Sequence, residues 1–328
     1  MIIVTGGAGF IGSNLVAALE ERGEGPLVVC DKPGAGGNGR TIAKRRLDAV
    51  IEPAGLPAWL AENAGTIRAI FHLGATSSTT ETDARLLARN NYRFSMDLWR
   101  WCAAEDVPLI YASSAATYGD GSCGFDDDGS SPALARLKPL NGYGRSKHLV
   151  DRRIAHALAA GGARPPQWAG LKFFNVYGPN EYHKGGQRSV VATVYADAAA
   201  GRPVRLFKSC DPRYADGGQC RDFVWVGDCV VVMLWLLDNR QVSGLFNVGT
   251  GTARTFSDLA RALFAALGQA PRIEYVEMPE SMRAHYQNFT EARMERLRRA
   301  GYAAPFTTIE EGVGSYVRDY LSRDDPYR

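Results

Sequence analysis

A tyrosine and a lysine four residues apart are the first candidates for chemistry in this chain. They occur in Tyr143-Gly-Arg-Ser-Lys147, and this spacing puts both side chains on one face of a helix. A free tyrosine titrates near pH ~10, too high for an efficient base at neutral pH, but a neighbouring cation favours the phenolate. Ser113-Ser114 follows an upstream apolar run, where Ser114 can hydrogen-bond the same reacting oxygen. Because the Tyr-Lys spacing alone also fits a helix-surface pair, the prediction of acid/base chemistry depends on this serine and on the cofactor signals below.

The N-terminus supplies a second signature, an apolar run that leads directly into glycines. In Met1-Ile-Ile-Val-Thr-Gly-Gly-Ala-Gly-Phe-Ile-Gly12, the three spaced glycines lie between a strand pattern and a helix pattern. Gly6 permits a tight turn, Gly9 lets the backbone approach a pyrophosphate at the positive helix N-terminus, and Gly12 allows close packing of helix on strand. The alternative is that these glycines serve turns only, but the strand and helix on either side favour a dinucleotide site.

The residues after the second apolar run bear on the identity of the cofactor. Asp31 ends that run about 20 residues after the glycines, where an acidic side chain is expected to bind the adenosine ribose. Asp31 alone favours NAD, because a carboxylate repels a 2′-phosphate. Lys32 and Arg40 can offset that repulsion by charge-assisted hydrogen bonds to the phosphate, although Lys32 also fits a plain surface lysine. The sequence therefore predicts a nicotinamide cofactor and leaves NADP and NAD both open.

These residues need a scaffold, and the first half of the chain alternates short apolar runs with amphipathic stretches. Strands are predicted at 2–4, 27–30, 69–73, 108–112 and 169–174, and helices near 10–22, 84–104 and 144–160. This alternation predicts an α/β fold with a doubly wound parallel sheet of the Rossmann type. Ligands bind beyond the carboxyl ends of such strands, and the residues there are small or polar: Thr5-Gly6-Gly7, Asp31-Lys32, Gly74-Ala75-Thr76, Ser113-Ser114 and Asn175-Val176.

The pattern becomes less regular after about Val176, with Gly- and Pro-bearing loops, a strand-like run at 204–207 and an insertion-like stretch at 209–219. Segments 222–237 and 244–248 resemble elements that return to the main sheet. We therefore predict a dinucleotide-binding domain of residues 1–175 with returning elements at about 221–255. Residues 176–220 and 256–328 are predicted to form a smaller C-terminal α/β substrate-binding lobe.

Composition excludes several classes of function. The formal net charge is only +3 and the basic residues are scattered, so nucleic acid is not an implied partner. The longest apolar run, 230–237, is far shorter than the ~20 residues that cross a bilayer, and no signal-peptide pattern opens the chain, so we expect a cytoplasmic protein without a membrane partner. The six cysteines show no C-x-x-C pair, although Cys210 and Cys220 could in principle bridge. The five histidines lack metal-site spacing, so no metal is expected. We also expect a homo-oligomer.

At this point a family resemblance is clear. The glycine turn, the serine, the Tyr-Lys pair and Phe174-Asn-Val-Tyr-Gly-Pro179 resemble the extended short-chain dehydrogenases/reductases that act on nucleotide sugars, the NAD-dependent epimerase/dehydratase family. Nearly end to end, the chain is most similar to the ADP-heptose 6-epimerase branch of that family. The matching stretches are long and specific: Ser77-Ser-Thr-Thr-Glu-Thr-Asp83, Asn90-Asn-Tyr92, Tyr111-Ala-Ser-Ser-Ala-Ala-Thr-Tyr-Gly119, 173–179 with His183-Lys-Gly185, Arg221-Asp-Phe-Val224 and Arg283-Ala-His-Tyr-Gln287.

The resemblance implies an isomerase that interconverts ADP-D-glycero- and ADP-L-glycero-D-manno-heptose at C6 by transient oxidation with bound NADP, for lipopolysaccharide biosynthesis. It implies that Tyr143 and Lys184 are the acid/base residues, that Ser114 assists and that Lys147 binds cofactor. Cofactor contacts are implied for Gly6, Gly9, Phe10, Ile11, Gly12, Asp31, Lys32, Leu73, Gly74, Ala75, Thr76, Ser77, Asn90, Tyr143, Lys147 and Val176. Sugar-nucleotide contacts are implied for Ser114, Asn175, Gly186, Phe207, Lys208, Ser209, Cys210, Arg221 and Tyr286.

Alternatives stay open for several of these residues. Arg221 can clamp a diphosphate or form an ion pair that bridges domains, and Tyr286 can contact a sugar ring or pack in the core. Gly186 and Thr193 stand where the family typically has a serine and a histidine, Lys208 replaces an acidic residue, and 209–219 is longer than usual.

The activity itself has competing interpretations. Another nucleotide-sugar epimerase or reductase, for example a 4-epimerase, is the alternative enzyme. A dehydratase is disfavoured because Ala115 and Ala116, rather than an acidic residue, follow Ser114. A regulatory protein that lost catalysis is disfavoured by the intact Ser114, Tyr143 and Lys147.

Overall fold

The predicted alternation of strands and helices is present in the computed structural model, which describes residues 1–34, 37–283 and 286–328. The strands are β1 (Ile2–Thr5), β2 (Leu27–Cys30), β3 (Ala49–Ile51), β4 (Ala69–His72), β5 (Leu109–Ser114), β6 (Trp168–Phe173), β7 (Asn175–Tyr177), β8 (Val204–Phe207), β9 (Cys220–Arg221), β10 (Phe223–Trp225), β11 (Gly244–Val248), β12 (Arg254–Thr255) and β13 (Ile273–Val276). The α-helices are α1 (Phe10–Glu21), α2 (Leu56–Asn63), α3 (Ala84–Leu87), α4 (Phe94–Ala104), α5 (Ser131–Arg136), α6 (Gly142–Ala159), α7 (Val190–Ala199), α8 (Val226–Asp238), α9 (Phe256–Ala266), α10 (Glu280–Arg283), α11 (Glu295–Arg299) and α12 (Ile309–Tyr316).

The main sheet has seven parallel strands in the order β11-β6-β5-β4-β1-β2-β3. The strand order reverses direction at β1, which has β2 on one side and β4 on the other, so a crevice opens beyond the carboxyl ends of these strands. The predicted doubly wound α/β fold is therefore confirmed. The edge strand β3 was not predicted, because its apolar run is only three residues long; its middle residue, Val50, is exposed.

Both faces of the sheet are covered, as successive residues of β1 show. Ile2 and Val4 pack in one cluster with Leu15 of α1 and Met233 of α8. Ile3, between them, belongs to a second cluster on the opposite face, which contains buried side chains of α4 and α6. Side chains alternate across a strand, so a strand that is apolar at every position must be covered on both sides.

The C-terminal part of the chain adds three two-stranded sheets, β7 with β10, β8 with β13, and β9 with β12. We predicted that 222–237 and 244–248 return to the main sheet; the second joins it as strand β11 beside β6, whereas the first contributes helix α8 to one of its faces and no strand to the sheet. Strand β10 instead pairs with β7 because β11 occupies the free edge of β6, and β7 begins two residues after β6 ends. Helix α8 then packs against α1 on one face of the main sheet.

Two expectations from composition can be compared with the structure. All six cysteines are free, so the bridge considered between Cys210 and Cys220 is absent from the described chain. Within the described ranges, no helix combines the length and the apolar character needed to cross a bilayer.

Candidate active site

A cavity of about 1310 Å³ opens beyond the carboxyl ends of the central strands. It extends from the glycine turn after β1 to the start of helix α6. Nineteen of the predicted site residues line it: Gly6, Gly9, Phe10, Ile11, Gly12, Asp31, Lys32, Leu73, Gly74, Ala75, Thr76, Ser77, Asn90, Ser114, Tyr143, Lys147, Val176, Lys184 and Gly186. The structure therefore brings the predicted cofactor residues and the predicted acid/base residues into one space.

The glycine turn has the close approaches that the sequence predicted at two of its three spaced positions. A Cβ atom on Gly12 would lie 2.1 Å from the Gly6 carbonyl oxygen, and one on Gly6, whose φ is +69°, would lie 2.6 Å from the Gly74 nitrogen. A Cβ atom on Gly9 would meet only the Gly6 oxygen at 3.0 Å. Gly9 precedes α1 directly and lines the cavity, so its missing side chain leaves room at the positive helix N-terminus. This cradle fits a pyrophosphate.

The replacement Gly9→Val should abolish dinucleotide binding, because the branched side chain fills the space where the backbone would approach the pyrophosphate. Titration with NADP and NAD by calorimetry measures the effect. Gly65→Ala is the matched control, since its Cβ atom would meet no atom within 4 Å. Undiminished dinucleotide affinity in Gly9→Val would show that the cofactor lies elsewhere.

Asp31 fastens the end of β2 to the glycine turn. Its Oδ2 accepts a hydrogen bond from the Ala8 nitrogen at 2.9 Å, and its Oδ1 accepts one from the Lys32 nitrogen at 2.7 Å. The Lys32 ammonium lies 3.8 Å from Glu52, and the Arg40 guanidinium lies 3.7 Å from Asp325 and does not line the cavity. Both cations considered for a 2′-phosphate therefore already have carboxylate neighbours, although the Lys32 pair is largely exposed and weak.

Helix α6 carries Tyr143 and Lys147 from a capped N-terminus. The Asn141 side chain caps the helix by accepting a hydrogen bond from the Gly144 nitrogen at 2.8 Å, so Tyr143 lies in the first turn. Burial raises the pKa of the Tyr143 phenol above its usual value, and a hydrogen bond with the Ser114 hydroxyl opposes this shift. Burial lowers the pKa of Lys147 to about 8. Burial is therefore the largest influence on the Tyr143 pKa in this structure, and the expectation that Lys147 favours the phenolate stays a prediction.

Lys184 reaches the cavity from a different element, the short 3₁₀ segment Tyr182–Gln187 that follows β7. Its ammonium lies 5.2 Å from the centroid of the Phe10 ring, at the start of α1. Burial lowers the pKa of Lys184, and the buried carboxylate of Glu181 acts in the opposite direction. A lowered pKa increases the fraction of lysine that is neutral at neutral pH, and only the neutral amine can accept a proton, so the shift suits Lys184 for acid/base chemistry.

A buried hydrogen-bonded chain that the sequence did not predict connects the glycine turn with α6. Its members are Thr5, His72, Ser95, Asn91 and Ser146, joined through their side chains except that the Ser95 hydroxyl donates to the backbone carbonyl oxygen of Asn91. His72 lies 2.7 Å from the Thr5 hydroxyl and 2.8 Å from the Ser95 hydroxyl, and burial lowers its pKa to about 3, so the ring is neutral. Asn91 lies in the π-helix Ala88–Arg93, where the extra residue per turn breaks the α-helical spacing predicted for 84–104. The only available signal was the position of His72 at the end of a predicted strand.

The remaining predicted substrate residues do not line the cavity and are called the second cluster below: Asn175, Phe207, Lys208, Ser209, Cys210, Arg221 and Tyr286. It adjoins the cavity at β7, where Asn175 precedes the cavity-lining Val176. The Arg221 guanidinium lies 5.2 Å from the Tyr286 ring centroid and 5.5 Å from that of Phe256. Burial lowers the pKa of the Arg221 guanidinium, and no carboxylate among the described residues opposes that shift, so the domain-bridging ion pair considered as an alternative is absent from the described part of the chain.

Lys208 and the stretch 209–219, where the sequence departs from the family, are both engaged in contacts within the protein. The Lys208 ammonium lies 2.9 Å from Glu277, so this half-exposed side chain already has a protein partner. The stretch 209–219 contains internal bonds, including one from the Ser209 nitrogen to Asp216 at 2.9 Å. In the matching stretch 283–287, Ala284 and His285 lie outside the described residues.

A Rossmann-type sheet with a glycine turn and a Ser-Tyr-Lys set beyond its carboxyl ends defines a nicotinamide-dependent enzyme of the short-chain dehydrogenase type. The chain belongs to the NAD dependent epimerase/dehydratase family, whose sequence pattern matches residues 2–249. It is 50% identical, over the whole of both chains, to a protein of Nitratidesulfovibrio vulgaris named ADP-L-glycero-D-manno-heptose-6-epimerase.

Solved structures agree with this assignment. The Helicobacter pylori ADP-L-glycero-D-manno-heptose-6-epimerase matches with a TM-score of 0.79 and 28% identity, covering 97% of this chain and 95% of that one. The Thermus thermophilus UDP-glucose 4-epimerase in complex with NAD matches with a TM-score of 0.72 and 25% identity, covering 96% and 97%.

Proposed function

We propose that the protein is an ADP-heptose 6-epimerase, which interconverts ADP-D-glycero- and ADP-L-glycero-D-manno-heptose at C6 with a bound nicotinamide cofactor. The full-length relative at 50% identity supports the choice of substrate. The observation that carries the reaction type is that Tyr143 and Lys184, from separate elements, line one cavity. An epimerase needs proton transfer on both faces of the reacting carbon, and two groups supply it. The product would supply heptose for lipopolysaccharide biosynthesis.

The chemistry divides between these two side chains. The bound nicotinamide would supply the hydride chemistry at C6, which would need hydride removed from one face and returned to the other. Lys184, whose lowered pKa increases its neutral fraction, is suited to take the proton of the C6 hydroxyl, and Tyr143, which carries its proton at neutral pH, can give one back to the same oxygen. In the reverse reaction the two roles exchange. Ser114 would hydrogen-bond the same oxygen, and Lys147 would hold the nicotinamide ribose.

We further propose the contacts that the second cluster makes with the sugar nucleotide. Arg221 is buried beside Tyr286 with no neutralising carboxylate among the described residues, which leaves its charge available for a diphosphate. Asn175 would lie near the sugar because it precedes the cavity-lining Val176. Gly186, which lines the cavity two residues after Lys184, would lie near it as well. The two-lobe division given above, the homo-oligomer and the cytoplasmic location stay predictions.

The cofactor is proposed to be NADP, with NAD as the alternative. NADP requires Lys32 and Arg40 to exchange Glu52 and Asp325 for the 2′-phosphate, which is feasible because all four side chains are largely exposed. Denaturing the purified protein and weighing the released dinucleotide by mass spectrometry distinguishes the two. A bound NAD would show that Asp31 alone sets the preference.

The activity is tested by following purified protein with ADP-D-glycero-D-manno-heptose by NMR, where the C6 epimer should accumulate to equilibrium. UDP-glucose is the comparison substrate, because the Thermus thermophilus neighbour is a 4-epimerase. Turnover of UDP-glucose without turnover of the heptose would replace the proposed substrate with that of a 4-epimerase. Turnover of neither would reject both.

A further inference from the structure

A fully buried ion pair lies behind the predicted catalytic residues. The Lys172 ammonium, on β6, lies 2.9 Å from Asp151 Oδ2, on α6, and neither side chain has exposed surface. Neither residue lines the cavity. Removing two charges from water is costly unless the pair is well hydrogen-bonded, so its other partners show what it holds in place.

On the side of the sheet, the Asp151 and Lys172 side chains both bond residues around Ser114, at the end of β5 and in the turn that follows it. The Ser113 hydroxyl donates to Asp151 Oδ2 at 2.7 Å. The Lys172 ammonium donates to the Thr117 hydroxyl at 2.6 Å, and that hydroxyl donates to the Ser114 carbonyl oxygen at 2.8 Å. The two ends of the ion pair therefore hold the serine turn at successive residues.

On the helix side, Asp151 follows Lys147 by one turn of α6 and lies on the same face. Burial lowers the pKa of Lys147 to about 8, and the Asp151 charge raises it, opposing that shift. The Asp151 carboxylate also accepts hydrogen bonds from Tyr111 and from Lys172, and the Lys147 charge in turn lowers the pKa of the neutral His72 on β4. Asp151 is thus the carboxylate that favours the charged form of Lys147.

We propose that Asp151 and Lys172 are positioning residues for the epimerisation, which fix Ser114 against the face of α6 that carries Tyr143 and Lys147. The inference rests on the proposed function, because it assigns these side chains to the reaction. Reacting groups that shift by about 1 Å lose about 10²-fold in rate. A pair that served stability alone would not need bonds to Ser113 and Thr117, both in the strand and turn around Ser114.

The first test is Asp151→Asn, which keeps the side-chain shape and removes the charge. We expect kcat to fall about 10²-fold with KM for ADP-heptose little changed. The alkaline limb of the kcat profile should move to lower pH. The sign follows from the charge: without Asp151 the ammonium of Lys147 is less favoured, so its pKa falls below about 8 and the proton is lost earlier.

Asp151→Asn leaves the Lys172 charge buried without a counter-ion and can fail to fold. Thr117→Val is therefore the second variant, because it keeps the ion pair and removes the link to the Ser114 carbonyl. We expect kcat to fall roughly tenfold with normal dinucleotide binding. Lys172→Arg, which keeps the charge, should retain more activity than Lys172→Met.

Asp228→Asn is the matched control. Asp228 is a mostly buried carboxylate on α8 that bonds Thr307 at 2.8 Å, away from the cavity, so its loss lowers stability alone. Equal losses of kcat in the two asparagine variants, with unchanged pH profiles, would overturn the proposal, as would normal kcat in Thr117→Val.

Titration of Lys147 by NMR of labelled lysine needs no substrate. If the pKa of Lys147 changes in Asp151→Asn but the wild-type protein does not turn over ADP-heptose, the proposed function is rejected and the link between Asp151 and Lys147 is kept.

Discussion

Replacement of Tyr143 by phenylalanine should leave a folded protein that binds its dinucleotide and loses most of its turnover. The ring stays in place, while the hydroxyl that bonds Ser114, and that we propose as the proton donor to the substrate, is removed. Loss of a general acid or base lowers the rate by about 10²- to 10⁴-fold. The measurement is kcat at saturating ADP-heptose, together with circular dichroism and a dinucleotide titration.

The matched control for this variant is Tyr302→Phe. Tyr302 is buried between Trp235 and Phe306, and its hydroxyl has no hydrogen-bond partner in the described part of the chain. Its removal therefore tests whether losing a buried phenol in itself lowers activity, and we expect wild-type turnover. If Tyr143→Phe also ran at the wild-type rate, Tyr143 would line the cavity without a role in proton transfer.

The sheet could be predicted from the sequence because its central strands are apolar at nearly every position. β1, β2 and β4 are buried along their whole length, and such runs need cover on both faces. The edge strand β3 escaped prediction because it is partly exposed. The pairing of β10 with β7 escaped it because no local pattern states which sheet edge is already occupied.

The cavity could be predicted for a similar reason, since the residues after each central strand meet at one edge of a parallel sheet. Asp151 and Lys172 could not be predicted in this way. Each alone looks like a surface residue, and their contact depends on the packing of α6 against β5 and β6. His72 was missed because its partners Thr5 and Ser95 lie 67 and 23 residues away. The role of a buried polar side chain depends on partners that are distant in sequence, so a local pattern does not reveal it.

Replacement of Lys184 by methionine should lower kcat steeply at saturating ADP-heptose. Methionine keeps much of the length and apolar character of the side chain but cannot exchange a proton. A reaction that inverts a carbinol through a ketone needs proton transfer on each face in turn, and Tyr143 serves only one face. We expect a loss of about 10²- to 10⁴-fold in kcat, as for a general acid or base. Lys138→Met, beside Asp120 and outside the cavity lining, is the control and should retain wild-type kcat.

The competing role for Lys184 is attraction of a diphosphate, and the position of its ammonium fits that role as well. The ammonium lies 5.2 Å from the Phe10 ring, close to the helix N-terminus that would bind a pyrophosphate. The two roles separate in the kinetics, because loss of uniform binding raises KM and leaves kcat unchanged, whereas loss of a proton-transfer group lowers kcat at saturation. The part of the reaction assisted by Tyr143, followed as isotope exchange between C6 and the bound nicotinamide, should survive in part. A defect in KM alone would assign Lys184 to binding and leave the two-base mechanism without support.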